Sequence, residues 1–234
     1  MLEVQNLHLS IANNEILRGI SLKARRDEII AIVGRNGAGK SSTLKSIIGL
    51  YKPNRGKIMF DSADLTTKPP HERVRMGIGY VPEDMRIFPY LTAKENIELA
   101  AFLSKNMNKL DDIMDLIYSI FPELKNFLNR MGYYLSGGEK KMLAISRSLA
   151  TLPKIMLVDE ALEGLAPVVV ERFVKAITTI KEHGIGVVLT ESNVLLASRS
   201  AERLYVLERG EVIFEGGVSE LFSNADVMKV LRGA

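Results

Sequence analysis

A run of five apolar residues, Ile29 to Val33, leads directly into a glycine-rich segment, GRNGAGKS at 34–41. Five apolar residues without alternation predict a strand that is buried on both faces, as in a parallel sheet. The glycine-rich segment fits the pattern G-x-x-x-x-G-K-[ST], and Leu44, Ile47 and Ile48 then recur at helical spacing. Strand, glycine loop and helix in this order predict an α/β unit whose loop lies at the carboxyl end of a buried strand.

The glycine loop has the composition of a phosphate-binding site. Its glycines allow the backbone to curl so that successive N–H groups point at phosphate oxygens, and the positive end of the following helix adds to that field. Lys40 would reach the β- and γ-phosphates of a nucleotide, and the Ser41 hydroxyl would ligate Mg²⁺. The predicted nucleotide-binding residues here are Gly34, Arg35, Asn36, Gly37, Ala38, Gly39, Lys40, Ser41 and Ser42.

A second buried apolar strand, Ile155 to Val158, ends in two acidic residues, Asp159 and Glu160. A phosphate loop needs a carboxylate that holds the water shell of the metal, so Asp159 is a predicted Mg²⁺ ligand. Glu160 would lean toward the attacking water as general base or orienting group and is the predicted catalytic residue. An apolar strand followed by Asp-Glu is also a common strand end, but its pairing with the phosphate loop favours the functional interpretation.

The segment LSGGE at 135–139 precedes an amphipathic helix predicted from residue 139 to about 151. Ser136 and the N–H groups of Gly137 and Gly138 would form a second anion-binding helix N-terminus. Ser136 could instead act only as the cap of that helix. Because one chain has a single γ-phosphate to contact, a second anion site beside a phosphate loop suggests that these residues meet the nucleotide of another subunit.

The rest of the chain alternates between strands and helices. In the N-terminal third, strands are predicted at 2–11, 20–24 and 57–60. A helical insert is predicted over 92–129, with helix-like segments at 93–103, 111–119 and around 121–128. Further on, helices are predicted at 167–183 and from 219, and strands at 186–189, 201–208 and 211–215. The glycines at 77 and 79 predict turns. This order predicts an α/β fold with a mostly parallel sheet and antiparallel strands from the N-terminal third. Neither repeats nor a linker divide the sequence.

Composition excludes several other classes of protein. A chain of 234 residues that is 47% hydrophobic and 25% charged is an ordinary globular chain, which excludes disorder and collagen. The absence of cysteine removes disulfides, thiolate zinc sites and thiol nucleophiles, and the three histidines are too scattered for a zinc site. The net charge of +3 and the few aromatic residues argue against nucleic acid as a partner.

The sequence contains no segment that predicts insertion into a bilayer. Residues 1–11 alternate apolar and polar side chains as a strand does, unlike a signal peptide. No run of 18 apolar residues is present, so no membrane-spanning helix is expected. Any role at a membrane is therefore expected to be peripheral.

The three motifs at 34–41, 135–139 (LSGGE) and 156–160 (MLVDE) resemble, in their order and spacing, those of the nucleotide-binding subunit of ABC transporters. The resemblance covers essentially the whole chain. GIGYVPEDMRIFPYLTAKENI at 77–97 and GLAP at 164–167 are similar, more narrowly, to the branched-chain amino acid importer ATPases. The resemblance implies a single nucleotide-binding domain over 1–234, with the P-loop (RecA-like) fold, an N-terminal antiparallel β subdomain and an inserted helical subdomain at about 90–150.

The family resemblance also implies the cofactors, ATP and Mg²⁺, and the partners. Two ATP molecules would lie between the phosphate loop of one subunit and the LSGGE of the other, in a homodimer or a heterodimer with a related ATPase subunit. ATP binding would close the dimer and hydrolysis at Glu160 would reopen it. Closure would act on membrane permease subunits through the helical insert, with a solute-binding protein involved indirectly, so the chain would lie on the cytoplasmic face of the membrane.

Glu83, in VPED, occupies the position at which most of the superfamily has the Gln that touches Mg²⁺. A glutamate is known there in the branched-chain subgroup, and its carboxylate still offers an oxygen ligand. Glu83 therefore joins Ser41 and Asp159 as a predicted metal ligand. In the following loop, Phe88 and Pro89 could dock a helix of a partner or fill the core of this chain.

Four positions depart from the general ABC pattern. The aromatic residue that stacks on adenine aligns with Ile11, which offers only apolar contact. Ser192 stands where a histidine is usual, Ala161 replaces the proline expected after Asp-Glu, and Ala166 replaces an aspartate, although GLAP is typical of the subgroup. Since Glu160 is retained, hydrolysis is still expected.

The expected function is that of an ATP-hydrolysing subunit of an importer for branched-chain amino acids or similar small solutes such as amides or urea. Two alternatives remain open: the ATPase subunit of a lipid or lipopolysaccharide exporter, and an ATP-binding partner subunit with little hydrolysis of its own. A non-transport ABC clamp usually has two fused ATP domains, long coiled-coil insertions or basic arms, and none of these appears here.

Overall fold

The computed structural model describes residues 1–160 and 162–232, so the expectation about Ala161 falls outside the described residues. The described strands are β1 (Leu2–Ile11), β2 (Asn14–Ala24), β3 (Ile29–Val33), β4 (Arg55–Phe60), β5 (Ala63–Asp64), β6 (Ile78–Val81), β7 (Ile155–Asp159), β8 (Gly186–Glu191), β9 (Arg203–Glu208) and β10 (Glu211–Gly217). The described helices are α1 (Lys40–Ile48), α2 (Pro70–Arg75), α3 (Ala93–Leu103), α4 (Leu110–Ile120), α5 (Gly137–Leu149), α6 (Pro167–Glu182), α7 (Val194–Ala197), α8 (Val218–Ser223) and α9 (Ala225–Arg232). None of these helices combines the length and apolar character needed to span a bilayer.

The larger sheet has the strand order β10-β9-β3-β8-β7-β6, in which only β10 is antiparallel to its neighbour. Every residue of β3, β7 and β8 is buried, as the apolar runs predict. The strand register pairs Val33 with Glu191 and Asp159 with Thr190. The carboxyl ends of the three central strands therefore meet at one edge, which is where open α/β sheets bind ligands.

The second sheet has the order β2-β1-β4-β5, and all of its pairs are antiparallel. Its strands bury alternate side chains, because one face packs on the core and the other meets solvent. The α/β fold with a mostly parallel sheet and an antiparallel N-terminal sheet is confirmed. β2 begins at Asn14, six residues before the predicted start of that strand.

Each face of the larger sheet packs into its own hydrophobic core. Ile30, Ile32 and Val188 lie on the face that packs against α1 and the antiparallel sheet. Val187 and Leu189 lie on the opposite face, together with buried residues of the helices between α3 and α6. Each core removes a continuous apolar surface from water, which is the main source of stability.

Helices α3 and α4 lie within 92–129, the span that the sequence predicts as a helical insert, and α5 follows before β7. Thr92 caps α3 and Ser136 caps α5, each in a reciprocal capping box with the glutamate three residues later. The segment predicted as helical around 121–128 is a short 3-10 turn, Pro122–Asn126. Phe121 ends α4 there and packs its ring against Phe173 of α6, 6.0 Å between centroids.

Two glycines at the edge of β6 behave differently from one another. Gly77 lies in a turn with φ of +106°, as predicted. Gly79 lies within β6, so the prediction of a turn there is wrong. A Cβ atom at Gly79 would lie 2.5 Å from the Ser148 hydroxyl oxygen of α5, so the glycine is required by the close approach of that helix.

A buried arginine closes the carboxyl end of α1. Arg73 of α2 is only 2% exposed, and its guanidinium donates to the carbonyl oxygens of Ser46 and Ile47 at 2.7 and 2.8 Å. It also donates to the carbonyls of Lys68 and Thr66, at 2.8 and 3.2 Å. Ser46 and Ile47 lie in the last turn of α1, where carbonyl groups lack the usual helical partner four residues on. Arg73 supplies donors there and so holds α1, and with it the phosphate loop, in place.

Replacing Arg73 with methionine should lower the free energy of unfolding by about 2–4 kcal/mol, because several buried carbonyl groups lose their donor. Arg75→Met is the matched control, since Arg75 is exposed on the same helix and its loss should change the free energy by less than about 0.5 kcal/mol. Urea unfolding of the two variants measures the difference. Equal stability of both variants would contradict this role of Arg73.

Candidate functional site

The glycine loop joins β3 to α1 in a conformation that only glycine adopts easily. Gly37 and Gly39 have φ values of +84° and +107°, in the left-handed region. A Cβ atom at Gly34 would lie 2.4 Å from the carbonyl oxygen of Leu207, so that position also requires glycine. Helix α1 begins at Lys40, directly after Gly39, and so its positive end faces the loop.

The side chain of Lys40 turns back across the loop and is 3% exposed. Its Nζ donates to the carbonyl oxygens of Gly34 and Arg35, at 3.0 and 3.3 Å. It also donates to the Ser192 hydroxyl at 3.0 Å and lies 3.2 Å from the Glu160 Oε1. This buried cation therefore joins the loop to the residues that follow β7 and β8.

Asp159 ends β7 with a carboxylate that accepts three hydroxyl groups. The Ser41 hydroxyl donates to Oδ1 at 2.9 Å, the Thr190 hydroxyl donates to the same oxygen at 2.7 Å, and the Tyr80 hydroxyl donates to Oδ2 at 3.4 Å. Burial, and then the charge of Asp159, raise the pKa of Tyr80, which therefore stays a donor. The two residues predicted to hold Mg²⁺ on this side of the site, Ser41 and Asp159, are in direct contact.

Glu160 turns its carboxylate toward Lys40. Burial acts to raise the pKa of Glu160, but hydrogen bonds with Glu163, Lys40 and Ser192, together with the charge of Lys40, lower it below its ordinary value. Ser192 Oγ lies 2.7 Å from Asn36 Oδ1 and 3.2 Å from Glu160 Oε1, and its single hydroxyl proton serves these two acceptors. Glu160 is therefore held ionised, as a residue that accepts a proton must be.

A cavity of about 470 Å³ opens beside these groups, within the usual range for a small-molecule site. It is lined by Ile16, Asn36, Gly37, Gly39, Lys40, Ser41, Ser42, Glu83, Glu160 and Glu163. Of the three predicted metal ligands, Ser41 and Glu83 line this cavity, and Glu83 lines a neighbouring cavity together with Asp159. Ile16, and not Ile11, is the apolar residue of the N-terminal hairpin on this cavity.

The donor set fits Mg²⁺. Within residues 1–160 and 162–232 no group of three or more His, Cys, Asp and Glu side chains could hold a metal by itself. Mg²⁺ does not require such a cage, because it is usually bound by one or two carboxylates, waters and the phosphates of a substrate. Ser41, Asp159 and Glu83 supply one hydroxyl and two carboxylates around a phosphate-binding loop, which suits that coordination.

The LSGGE residues do not join this cavity. Ser136 and Gly137 are exposed on the surface at the start of α5. Ser136 Oγ accepts from the Glu139 N–H at 3.3 Å, and Glu139 accepts from the Ser136 N–H at 2.7 Å. Ser136 is therefore an N-cap. Contact of Ser136, Gly137 and Gly138 with a nucleotide stays a prediction, and it requires a nucleotide from outside this chain.

Sequence reasoning missed several polar residues around the site: Tyr80, Glu163, Thr190 and Glu191. β8 was predicted to end at Leu189 but continues through Glu191, so the side chains of Thr190 and Glu191 lie at the same edge as Asp159. The signal that could have found Thr190 and Glu191 is a buried apolar strand ending in polar residues, TES at 190–192, as β7 ends in Asp-Glu.

Comparison with known proteins assigns the family. The sequence pattern of the ABC transporter family matches residues 17–163, more than half of the chain. The chain therefore belongs to the ABC transporter family, as an ATP-binding cassette with ATPase activity. The resemblance found from the motifs is confirmed.

Similar curated proteins include ATPases of two transport processes. The lipopolysaccharide export system ATP-binding protein LptB of Haemophilus influenzae is 31% identical, covering 100% of this chain and 97% of the relative. The high-affinity branched-chain amino acid transport ATP-binding protein BraG of Pseudomonas aeruginosa is 33% identical, with 94% of each chain covered. The probable branched-chain amino acid transport ATP-binding protein LivF of Archaeoglobus fulgidus is 32% identical, covering 100% of this chain and 99% of the relative.

Solved structures agree with the family assignment. The ADP conformation of an ATP-binding cassette of an ABC transporter superposes with a TM-score of 0.85 and 26% identity, covering 100% of this chain and 99% of the other. The dimeric structure of a bacterial ABC transporter cassette superposes with a TM-score of 0.79 and 27% identity, covering 93% and 99%. The fold and the motifs thus identify the same family.

The burial of Glu191 is expected to make the stability of the fold depend on pH. Its side chain is buried, which raises the pKa of Glu191 from 4.5 to about 7. When the pKa of a carboxyl group is higher in the folded chain than in the unfolded chain, the group stabilises the fold fully at a pH below its pKa in the unfolded chain. This stabilisation is lost as the pH rises through the pKa in the folded chain, about 7. The loss amounts to about 3 kcal/mol between pH 4.5 and 8.

The free energy of unfolding of wild type relative to Glu191→Gln should therefore fall by up to about 3 kcal/mol over that pH range, because glutamine does not titrate. Denaturant unfolding at a series of pH values measures this difference. A difference that stays constant with pH would show that the pKa of Glu191 is not raised.

Proposed function

We propose that this chain is the ATP-binding and ATP-hydrolysing subunit of an ABC importer that energises uptake of branched-chain amino acids or similar small solutes. The observation that carries the hydrolytic part is the meeting of Lys40, Ser41, Asp159 and Glu160 at one edge of the larger sheet. The segments 77–97 and 164–167, together with the BraG and LivF relatives, support the import part.

The contacts of the site suggest what each residue does. The phosphates of ATP would take over Lys40 from Glu160, since a phosphate oxygen is a stronger partner for an ammonium group than a carboxylate shared with Ser192. Glu160 would then accept a proton from the water that attacks the γ-phosphate, as the bond to the ADP oxygen breaks. Mg²⁺, held by Ser41, Asp159 and Glu83, would neutralise charge on the phosphates.

The exposed helix start at Ser136 supports a head-to-tail dimer. Ser136, Gly137 and Gly138 present a hydroxyl and backbone N–H groups at the positive end of α5, away from the cavity of their own chain. Solved cassettes of similar fold include dimers, one of them in a post-hydrolysis state with ADP and Pi. We propose that these residues complete the ATP site of a second copy or of a related subunit.

An apolar groove between the sheet core and the helical insert supports docking on a membrane permease. It has a volume of about 350 Å³ and is lined in part by Leu50, Val74, Met85 and Leu103. Leu50 and Leu103 are more than half exposed. Such a groove suits an amphipathic helix of a partner. We therefore propose that the chain lies peripherally, on the cytoplasmic face of the membrane, and that it is a single nucleotide-binding domain with the insert at about 90–150.

Phe88 and Pro89 belong to the surface and not to the core. Phe88 is 43% exposed, and the Arg147 guanidinium lies 4.9 Å from the centre of its ring. Pro89 is exposed as well. The interpretation that they fill the core of this chain is therefore wrong, and docking of a partner helix is the use that we propose for them.

A second candidate function is the ATPase subunit of a lipopolysaccharide exporter. LptB relatives cover this chain as completely as the importer ATPases do, which favours this alternative. A third candidate, an ATP-binding subunit with little hydrolysis, is favoured by Ser192, whose neutral hydroxyl cannot supply the positive charge of an imidazolium. Against it, Ser192 still donates to Glu160 and accepts from Lys40, so the serine keeps the acidic residue in place.

Glu160→Gln should lower the rate of ATP hydrolysis by about 10²-fold or more while leaving Mg-ATP binding within about threefold of wild type, because glutamine cannot accept the proton. Phosphate release and equilibrium ATP binding measure the two effects. Glu182→Gln, at the exposed end of α6, is the control that removes one carboxylate far from the site. Hydrolysis by Glu160→Gln at the wild-type rate would rule out this role.

Deletion of the gene for this chain should abolish uptake of labelled leucine, isoleucine and valine, because transport needs ATP hydrolysis to drive it. Expression of wild type should restore uptake and Glu160→Gln should not. Parallel assays of labelled acetamide and urea, and of surface lipopolysaccharide, separate the alternatives. Normal amino acid uptake together with a defect in surface lipopolysaccharide would favour the exporter.

A further inference from the structure

Glu191 ends β8 with a carboxyl group that is buried behind the cavity. Only 1% of the residue is exposed, and by the alternation of the strand it shares the face of Val187 and Leu189. Its Oε1 accepts a hydrogen bond from the backbone N–H of Leu162 at 2.9 Å. Its Oε2 is buried and accepts no hydrogen bond from any residue that the structure describes. Glu191 therefore contacts the loop after Glu160 and not the cavity itself.

The loop after β7 begins in a conformation that needs support. Glu160 has a φ of +46°, in the left-handed region of backbone conformation that residues other than glycine rarely adopt. The backbone N–H of Glu160 is held by Thr190, at 3.2 Å to the carbonyl oxygen and 3.1 Å to the hydroxyl. The turn therefore depends on contacts with the end of β8.

Two further contacts hold the loop two and three residues after Glu160. In the first, the Leu162 N–H donates to Glu191, and in the second, the Lys141 Nζ donates to the Glu163 carbonyl oxygen at 3.1 Å. The Glu191 contact is made by a side chain that comes from the same strand end as Thr190. β8 thus fixes the loop on both sides of the turn at Glu160.

We propose that Glu191 is a positioning residue for hydrolysis. By accepting the Leu162 N–H it keeps the backbone of Glu160 in the left-handed turn and so directs the Glu160 carboxylate at Lys40 and the cavity. This inference rests on the proposed role of Glu160. It needs the oxygen acceptor of residue 191 and not its charge, because Oε1 accepts from Leu162 in either protonation state.

Two substitutions separate the acceptor from the shape of the side chain. Glu191→Gln keeps an oxygen that can accept from Leu162, and Glu191→Met keeps the length of the chain without an acceptor. We expect kcat of Glu191→Gln within about twofold of wild type and kcat of Glu191→Met lower by about tenfold or more, with KM for ATP within about threefold in both. If the methionine variant does not fold, Glu191→Ser replaces it in the comparison with Glu191→Gln, because the serine side chain is too short for its hydroxyl to reach the Leu162 N–H.

Val188→Ala is the matched control for a general loss of packing, because Val188 is buried in the same strand but faces the other core. It should lower the thermal midpoint and leave kcat unchanged. Backbone hydrogen exchange over residues 160–166 gives a readout apart from activity. Exchange there should become faster in Glu191→Met than in Glu191→Gln or Val188→Ala.

Glu160→Gln, assayed beside these variants, separates the two proposals. If it hydrolyses ATP at the wild-type rate, the proposed role of Glu160 fails. If it is inactive while Glu191→Met keeps the wild-type kcat, the proposal for Glu191 is overturned. Equal losses of kcat in Glu191→Gln and Glu191→Met would also overturn it, because the oxygen acceptor would not then be what matters.

Discussion

The ammonium group of Lys40 is almost completely buried, and a buried cation is tolerated only when its donors are satisfied and a negative charge lies nearby. Two carbonyl oxygens of the glycine loop, the Ser192 hydroxyl and the Glu160 carboxylate meet these needs. The loop after β3 and the ends of β7 and β8 are thereby joined at one point. Any phosphate that binds in the loop must compete with Glu160 for Lys40. Binding of the nucleotide and release of Glu160 from Lys40 are therefore linked.

The parallel arrangement of β3, β7 and β8 makes this meeting possible. Because parallel strands end at the same edge, the glycine loop, Asp159 and Thr190 lie side by side without any long loop to bring them together. The antiparallel sheet and α1 cover one face of this arrangement, and the helical insert covers the other. Arg73 adds a local constraint, since it satisfies the carbonyl end of α1 and so fixes the helix whose other end faces the phosphates.

The sequence was sufficient for the parts of the site that are contiguous. The glycine loop and Asp159-Glu160 each follow an apolar strand directly, so local pattern identifies both, and the fold class follows from the alternation of strands and helices. Tyr80 and Glu191 could not be found in this way, because their contacts depend on strand register and on where β6 and β8 end. The prediction of a turn at Gly79 fails for the same reason: its requirement for glycine comes from the approach of α5, a contact between residues far apart in the chain.

The most direct test of this account is a crystal structure of Glu160→Gln with Mg-ATP. The account predicts that Lys40 Nζ lies within hydrogen-bonding distance of a phosphate oxygen and no longer contacts residue 160. It also predicts that the Ser136 to Gly138 segment of a second chain closes over the γ-phosphate. A nucleotide bound outside the glycine loop, or Lys40 still paired with residue 160 while ATP is bound, would contradict the linkage between phosphate binding and release of the acidic residue.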